Sequence, residues 1–217
     1  MKLLQLEHLD LEELQPSYDD LPQTGHKDSE FRKRRYSVIK PYPGNIQIVE
    51  NSSFNQSSAY NKFQGDVDRK FEDVEQDVLS SQPMAKLLSM FLKSNDLDGG
   101  HRMDVHQMRI ITGDYPYESV EVSPEGIHQD GYDYIAMIGV KRHNATGGHI
   151  TVSREKDSVP FINMALEDGD MFMLNDKELW HSGTTLRAAD PADIAYIDLF
   201  VFTAHHDGWD GSTKVKG

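Results

Sequence analysis

Leu166-Glu167-Asp168-Gly169-Asp170-Met171-Phe172-Met173-Leu174 is an acidic tight turn running directly into an apolar strand. The Glu-Asp-Gly-Asp segment supplies turn formers. The apolar run from Met171 is too short for a core helix and suits a buried strand. The same unit recurs through the second half of the chain. Strands are predicted at Val105 to Ile111, Tyr134 to Val140, His149 to Val152, Asp170 to Leu174, Trp180 to Leu186 and Ala195 to Thr203. Turn signals separate them at Gly113, Asn144 to Gly148, Glu167 to Gly169 and Ala188 to Asp193. Short, regularly spaced strands with polar turns imply an all-β sandwich or jelly-roll.

The first half reads differently. Leucines mixed with acids over Met1 to Leu14 suit a short helix or an edge strand, followed by a loop at Pro16, Pro22 and Gly25. Strands are expected at Phe31 to Ile39 and Asn45 to Glu50, then a Ser-, Asn- and Gln-rich loop over Asn51 to Gly65. Val67, Phe71, Val74 and Val78 lie at i, i+4, i+7 and i+11, and Met84, Leu87, Leu88, Phe91 and Leu92 continue that period, so two helices are predicted. Asn95 to Gly100, with its Gly-Gly pair, is the expected stop. The whole is thus a mainly β chain read as a single domain over 1–217. An N-terminal α/β wrapping region (1–100) precedes a jelly-roll core (101–204) and a tail (205–217).

Composition removes several function classes. Asp and Glu number 36 against 22 Lys and Arg, a formal charge of −14. That excess disfavours nucleic acid, whose phosphates demand cations. The absence of cysteine excludes disulfides, thiolate zinc sites, iron–sulfur clusters and Cys nucleophiles. No segment has the run of about 20 apolar residues that a membrane span requires. The N-terminus has neither the basic start nor the small-residue cleavage site of a secretory signal, so a cytoplasmic location is expected.

Chemistry concentrates in Gly126-Ile127-His128-Gln129-Asp130-Gly131 and Leu179-Trp180-His181-Ser182-Gly183. His128 and Asp130, at i and i+2, point to one side of an extended chain. His181 follows 51 residues after Asp130 (181 − 130). Two imidazoles and one carboxylate form the facial ligand set suited to Fe(II), with three positions left for a cosubstrate and O₂. The same His₂Asp set could hold Zn²⁺ for hydrolysis, with Glu121, Glu125 or Glu178 available as a base, though none stands at a diagnostic spacing. His205-His206-Asp207 is a competing cluster, read as a surface tail because no strand follows it.

Further elements occur in a familiar order. His106-Gln107-Met108-Arg109, the Gly126 to Asp130 segment, Asn144-Ala145-Thr146-Gly147-Gly148 and Trp180-His181 resemble the bacterial Fe(II)/2-oxoglutarate dioxygenases of free L-amino acids, the group typified by L-isoleucine dioxygenase. Arg34-Arg35-Tyr36-Ser37 is similar to that family's Arg-x-Tyr-Ser element. The resemblance implies a double-stranded β-helix (a cupin-like jelly-roll), with Fe(II) on His128, Asp130 and His181. 2-Oxoglutarate would chelate the metal and be decarboxylated to succinate, while O₂ and a small amino-acid-like substrate complete the reaction. It also exposes a departure. The family's Arg for the far carboxylate of 2-oxoglutarate is replaced here by Ile197, within Ala195-Tyr196-Ile197-Asp198-Leu199-Phe200. Arg187, Arg109 and Arg142 are the candidate substitutes, with Gln107 expected on the same strand face as Arg109. Arg35 and Tyr36, in the basic cluster of the wrapping region, are candidates for clamping a substrate carboxylate. Ile197 also keeps open a second reading, a cupin-like binding protein without turnover.

Overall fold

The computed structural model describes residues 1–6, 9–49, 53–58, 61, 63–113 and 119–207. The chain starts with strand β1 (Lys2–Gln5), a single helical turn α1 (Leu9–Glu12) and a 3-10 turn at Gln15–Tyr18. Strands β2 (Arg32–Tyr42) and β3 (Asn45–Ile48) follow, then helices α2 (Gln76–Ser80) and α3 (Gln82–Ser94). The second half is all strand: β4 (Met103–Ile111), β5 (Tyr134–His143), β6 (Ala145–Gly147), β7 (Ile150–Ser153), β8 (Ile162–Met164), β9 (Asp170–Asn175), β10 (Trp180–Gly183), β11 (Leu186–Ala188) and β12 (Tyr196–Ala204).

Seven strands form one antiparallel sheet in the order β1-β9-β5-β12-β4-β2-β3. Two smaller sheets, β10-β7-β8 and β11-β6, make the second layer. This is the double-stranded β-helix, and β1, β2 and β3 of the first half extend its large sheet. The expected strand over Trp180 to Leu186 is two strands. β10 pairs with β7 and β11 with β6, and the break between them is fixed by Thr184 Oγ1, which accepts from the His149 N–H at 2.9 Å.

The large sheet is covered on one face by helix. Ser81 caps α3 by accepting from the Met84 N–H, Pro83 sits in its first turn, and Met84, Leu87, Leu88 and Phe91 are buried. Phe91 meets Phe202 edge to face at 5.9 Å. The helix ends at Ser94 with Asn95 as its C-cap, at the start of the expected stop over Asn95 to Gly100. Asp96, at φ 54°, turns the chain, and the Leu97 N–H returns to the Leu92 carbonyl at 2.9 Å. The helix expected from Val67 is realised only from Gln76. Val67 is exposed, and the Phe54 and Arg69 main chains hydrogen-bond to each other in both directions at 2.9 Å. Most of the tail expected over 205–217, and parts of the loop expected over 51–65, lie outside the described residues. Among the described residues no helix is long and apolar enough to cross a membrane.

The other face of the large sheet points at the small sheets, and its register decides what lines the space between them. Arg32, Ile110 and Ile197 stand side by side across β2, β4 and β12; so do Arg34, Met108 and Leu199, and Tyr36, His106 and Val201. Residues one step out of phase, such as Gln107 and Phe200, point to the helical side.

Candidate metal centre and its cavity

His128 and His181 are paired through their main chains, each N–H donating to the other's carbonyl at 2.9 Å. Residues directly opposite in an antiparallel pair carry their side chains on one face. The two rings therefore stand together, with centroids 4.4 Å apart. Asp130 completes the group. Its Oδ1 lies 3.4 Å from His128 Nε2 and its Oδ2 3.4 Å from His181 Nε2. One ligand atom from each residue falls within 4.8 Å of the others. Ligands at right angles on an ion with bonds of about 2.1 Å are about 3 Å apart, so a small inward adjustment closes the site.

Of the two far nitrogens only that of His128 is hydrogen-bonded: its Nδ1 meets the Gly126 carbonyl at 2.8 Å, whereas His181 Nδ1 faces Asp176 Oδ1 at 3.4 Å without a hydrogen bond between them. Both rings turn Nε2 toward Asp130, and the Gly126 contact holds the tautomer of His128 that a metal requires. Asp176 is fully buried and braces the loop as well, its Oδ2 accepting from the Gly131 N–H at 2.7 Å and the Tyr132 N–H at 3.2 Å. Asp130 Oδ1 also accepts from Gln56 Nε2 at 2.8 Å, and Gln56 Oε1 accepts from Asn61 Nδ2 at 3.0 Å and Arg69 Nη2 at 3.2 Å.

The electrostatics call for a cation. Burial works against charge on Asp130, but hydrogen bonds from His128 and His181 hold its carboxyl well below the usual range. His128 is pushed up to about 9, because Asp130 and Glu125 outweigh the burial that opposes its charge. Asp176 is raised to about 6 by burial and by the negative Asp130. An anionic carboxylate between two imidazole nitrogens matches a divalent ion.

The triad opens into a cavity of about 150 Å³ between the two layers. Part of its lining is apolar, formed by Ile135, Met137, Ile150, Leu166, Ile197 and Leu199. Another part is polar and cationic, with Arg32, Arg34, Gln56, Asn61, Arg69 and His106, the two parts meeting on the face of the large sheet. Gly148, at φ 60°, lets the chain pass the apolar end, since a Cβ there would lie 2.5 Å from Ile197 Cδ1.

The sequence-predicted anion-binding residues fall elsewhere. Gln107 and Arg109 face the helical side. Gln107 donates to Ser17 Oγ at 2.7 Å, and Arg109 holds Asp198 through Nε at 2.6 Å and Nη2 at 2.8 Å beneath the Tyr196 ring. Arg187 is exposed on β11, and Arg142 donates to the Gly147 carbonyl at 2.7 Å without lining the cavity. Arg35 points out to Glu72 and Glu75, at 3.5 and 3.1 Å. Tyr36 does lie on the cavity side, but its hydroxyl is spent on Asp104 at 3.0 Å and its ring packs on His106 at 4.7 Å. Sequence reading passes over Arg32, Gln56, Arg69, His106 and Asp176. Only the phase of β2 and β4 would have pointed to Arg32, Arg34 and His106, and no periodic signal marks Gln56 or Arg69.

The sequence profile of the 2OG-Fe dioxygenases matches residues 15–203. The chain belongs to the 2OG-Fe dioxygenase family. It is therefore a 2-oxoglutarate-dependent oxygenase, with Fe(II) and 2-oxoglutarate as its cofactors and O₂ as a reactant. No curated protein sequence matches the chain significantly. Among solved structures, a bsmA homolog from Methylobium petroleophilum PM1 is 25% identical with a TM-score of 0.76, over 91% of this chain and 81% of that one. IDO from Bacillus thuringiensis is 16% identical with a TM-score of 0.70, over 93% and 88%. The Fe(II)/(alpha)ketoglutarate-dependent dioxygenase TqaL is 16% identical with a TM-score of 0.59, over 92% and 75%. At 16% identity the last two show the fold alone.

Proposed function

We propose that this dioxygenase hydroxylates a free L-amino acid or a close derivative, with Fe(II) held by His128, Asp130 and His181. The observation that carries the substrate class is the pairing of opposite charges around one small cavity. Arg32, Arg34 and Arg69 in its cationic lining offer guanidiniums to carboxylates, and Glu125, 3.4 Å from His128 Nε2, offers a carboxylate to an ammonium. A zwitterion complements both, and the apolar lining around Met137, Leu166 and Leu199 accepts its side chain. A cavity of about 150 Å³ beside the triad is in keeping with a small-molecule substrate.

When bound, Fe(II) and 2-oxoglutarate supply the oxidising chemistry, in which activation of O₂ is coupled to loss of CO₂ from the cosubstrate and insertion of oxygen into the substrate. The protein's part is positioning. The Gly126 carbonyl holds the His128 imidazole, the main-chain pair with His128 holds His181, Gln56 holds Asp130, and the apolar lining excludes water from the reacting carbon. The test is a screen of the twenty amino acids with Fe(II) and 2-oxoglutarate, read by mass for one added oxygen and by succinate release. A single amino acid that gains oxygen in step with succinate is expected. Succinate released without any oxidised amino acid would move the assignment to another class of small substrate.

A further inference from the structure

Arg34 is a buried cation whose hydrogen-bonding capacity the protein leaves open. It is 6% exposed in the cationic lining of the cavity, and its Nε and Nη1 have no hydrogen-bond partner. The rings of Phe54 and Phe71 flank its guanidinium at 5.8 and 5.2 Å, fixing its plane without satisfying its donors. Burial and the neighbouring Arg32 push it down to about 9, with Asp28 and Glu125 offsetting part of that, so at neutral pH it is charged while its Nε and Nη1 donors stay unmet. A buried guanidinium with unmet donors favours an arriving anion.

The other two cavity arginines are each partly engaged, with a buried Nε left without a partner. Arg32 gives Nη1 to Asp28 Oδ2 at 3.0 Å and Nη2 to the Val122 carbonyl at 2.7 Å. Arg69 gives Nη2 to Gln56, the residue that holds Asp130. Two strands away on the same sheet face, Ile197 and Leu199 of β12 offer nothing to a charge. A dicarboxylate that grips the metal by its 2-oxo acid end must still seat its second carboxylate, and a guanidinium with free donors is the matching group. Resting on the dioxygenase reading, we propose that Arg34, on β2, receives the far carboxylate of 2-oxoglutarate.

The experiment compares two ligands that differ in that carboxylate alone. Fe(II)-loaded protein is titrated calorimetrically without O₂, first with 2-oxoglutarate and then with pyruvate, in the wild type, Arg34→Met and Arg34→Lys. The wild type should bind 2-oxoglutarate more tightly than pyruvate. Arg34→Met should lose about tenfold to a hundredfold in 2-oxoglutarate affinity while its pyruvate affinity holds, and Arg34→Lys should fall between. Iron content and circular dichroism equal to the wild type certify the variants, and Arg34→Lys carries the comparison alone if Arg34→Met does not fold. Unchanged 2-oxoglutarate affinity, or an equal loss for both ligands, overturns the assignment while leaving the dioxygenase reading in place. A wild type that binds neither ligand removes that reading, and the role of Arg34 falls with it.

Discussion

Gln56 donates through Nε2 to Oδ1 of Asp130 at 2.8 Å, so a side chain from the first half of the chain holds the carboxylate of the metal centre. Gln56 is itself fixed by Asn61 and Arg69 through its Oε1. Replacing it with leucine keeps the bulk and removes the bond. Gln56→Leu should weaken Fe(II) retention by about tenfold to a hundredfold, the usual cost of losing a partner that orients a ligand. Competition with a coloured chelator measures this, and wild-type retention in Gln56→Leu would show that the bond is ornamental.

Asp130→Ala should abolish Fe(II) binding outright. Two imidazoles alone lack the charge that the site supplies, and His128 and His181 would lose their common partner. Metal analysis after anaerobic reconstitution reads the result. Full iron stoichiometry in the variant is the contrary outcome.

Asp176→Asn tests the back of the site. Its Oδ1 faces His181 Nδ1 at 3.4 Å and its Oδ2 accepts two main-chain N–H groups. An amide cannot match a carboxylate on both sides, so iron affinity and thermal stability should fall together. Loss of stability with unchanged iron affinity would reduce Asp176 to a brace of the Gly131 loop.

Arg109 and Arg187 serve as controls for the cavity. Arg109→Ala leaves Asp198, 1% exposed, without its cation, which should cost about 3 kcal/mol of stability. Its pocket-side neighbours are untouched, so 2-oxoglutarate affinity should hold at permissive temperature. Arg187→Ala, at an exposed position on β11, should change neither stability nor cosubstrate saturation. A raised 2-oxoglutarate requirement in Arg187→Ala would return that residue to the site.

Asp28 gives a pH test. Burial opposes its charge, but Arg32 and Arg34 outweigh that and lower its pKa below 3.8. A group depressed on folding contributes stability above its unfolded value, and that contribution is lost as the pH falls through the folded one. Asp28→Asn should therefore melt at a lower temperature than the wild type at neutral pH, and the gap should narrow below about pH 4. A constant gap from pH 7 to pH 3 would mean the ion pair does not act through titration.

What sequence reading could reach depended on whether a pattern carried phase. His-x-Asp needs only the two-residue repeat of an extended chain, and the structure brings His128, Asp130 and His181 close enough that they could hold a metal ion. The longer strands of the second half were legible from their spacing, but β6 falls in the stretch read as the Asn144 to Gly148 turn, β8 was not predicted, and β10 and β11 were read as one strand. The faces of β4 were not, because nearly every residue from Met103 to Ile110 is buried and no polar alternation marks one side. Gln107 and Arg109 were thus set toward the cavity, which belongs to His106 and Met108. The same one-residue slip on β2 favoured Arg35 over Arg34. The helix expected from Val67 failed because the Phe54–Arg69 pairing overrides the local period there.

Two of the three cavity arginines, Arg32 and Arg34, sit on β2, far along the chain from the candidate iron ligands His128, Asp130 and His181. The cationic groups and the iron cage are therefore written in separate stretches of the gene. Exchanging residues 32–36 between relatives would reshape the seat offered to carboxylates while leaving the three candidate ligands in place.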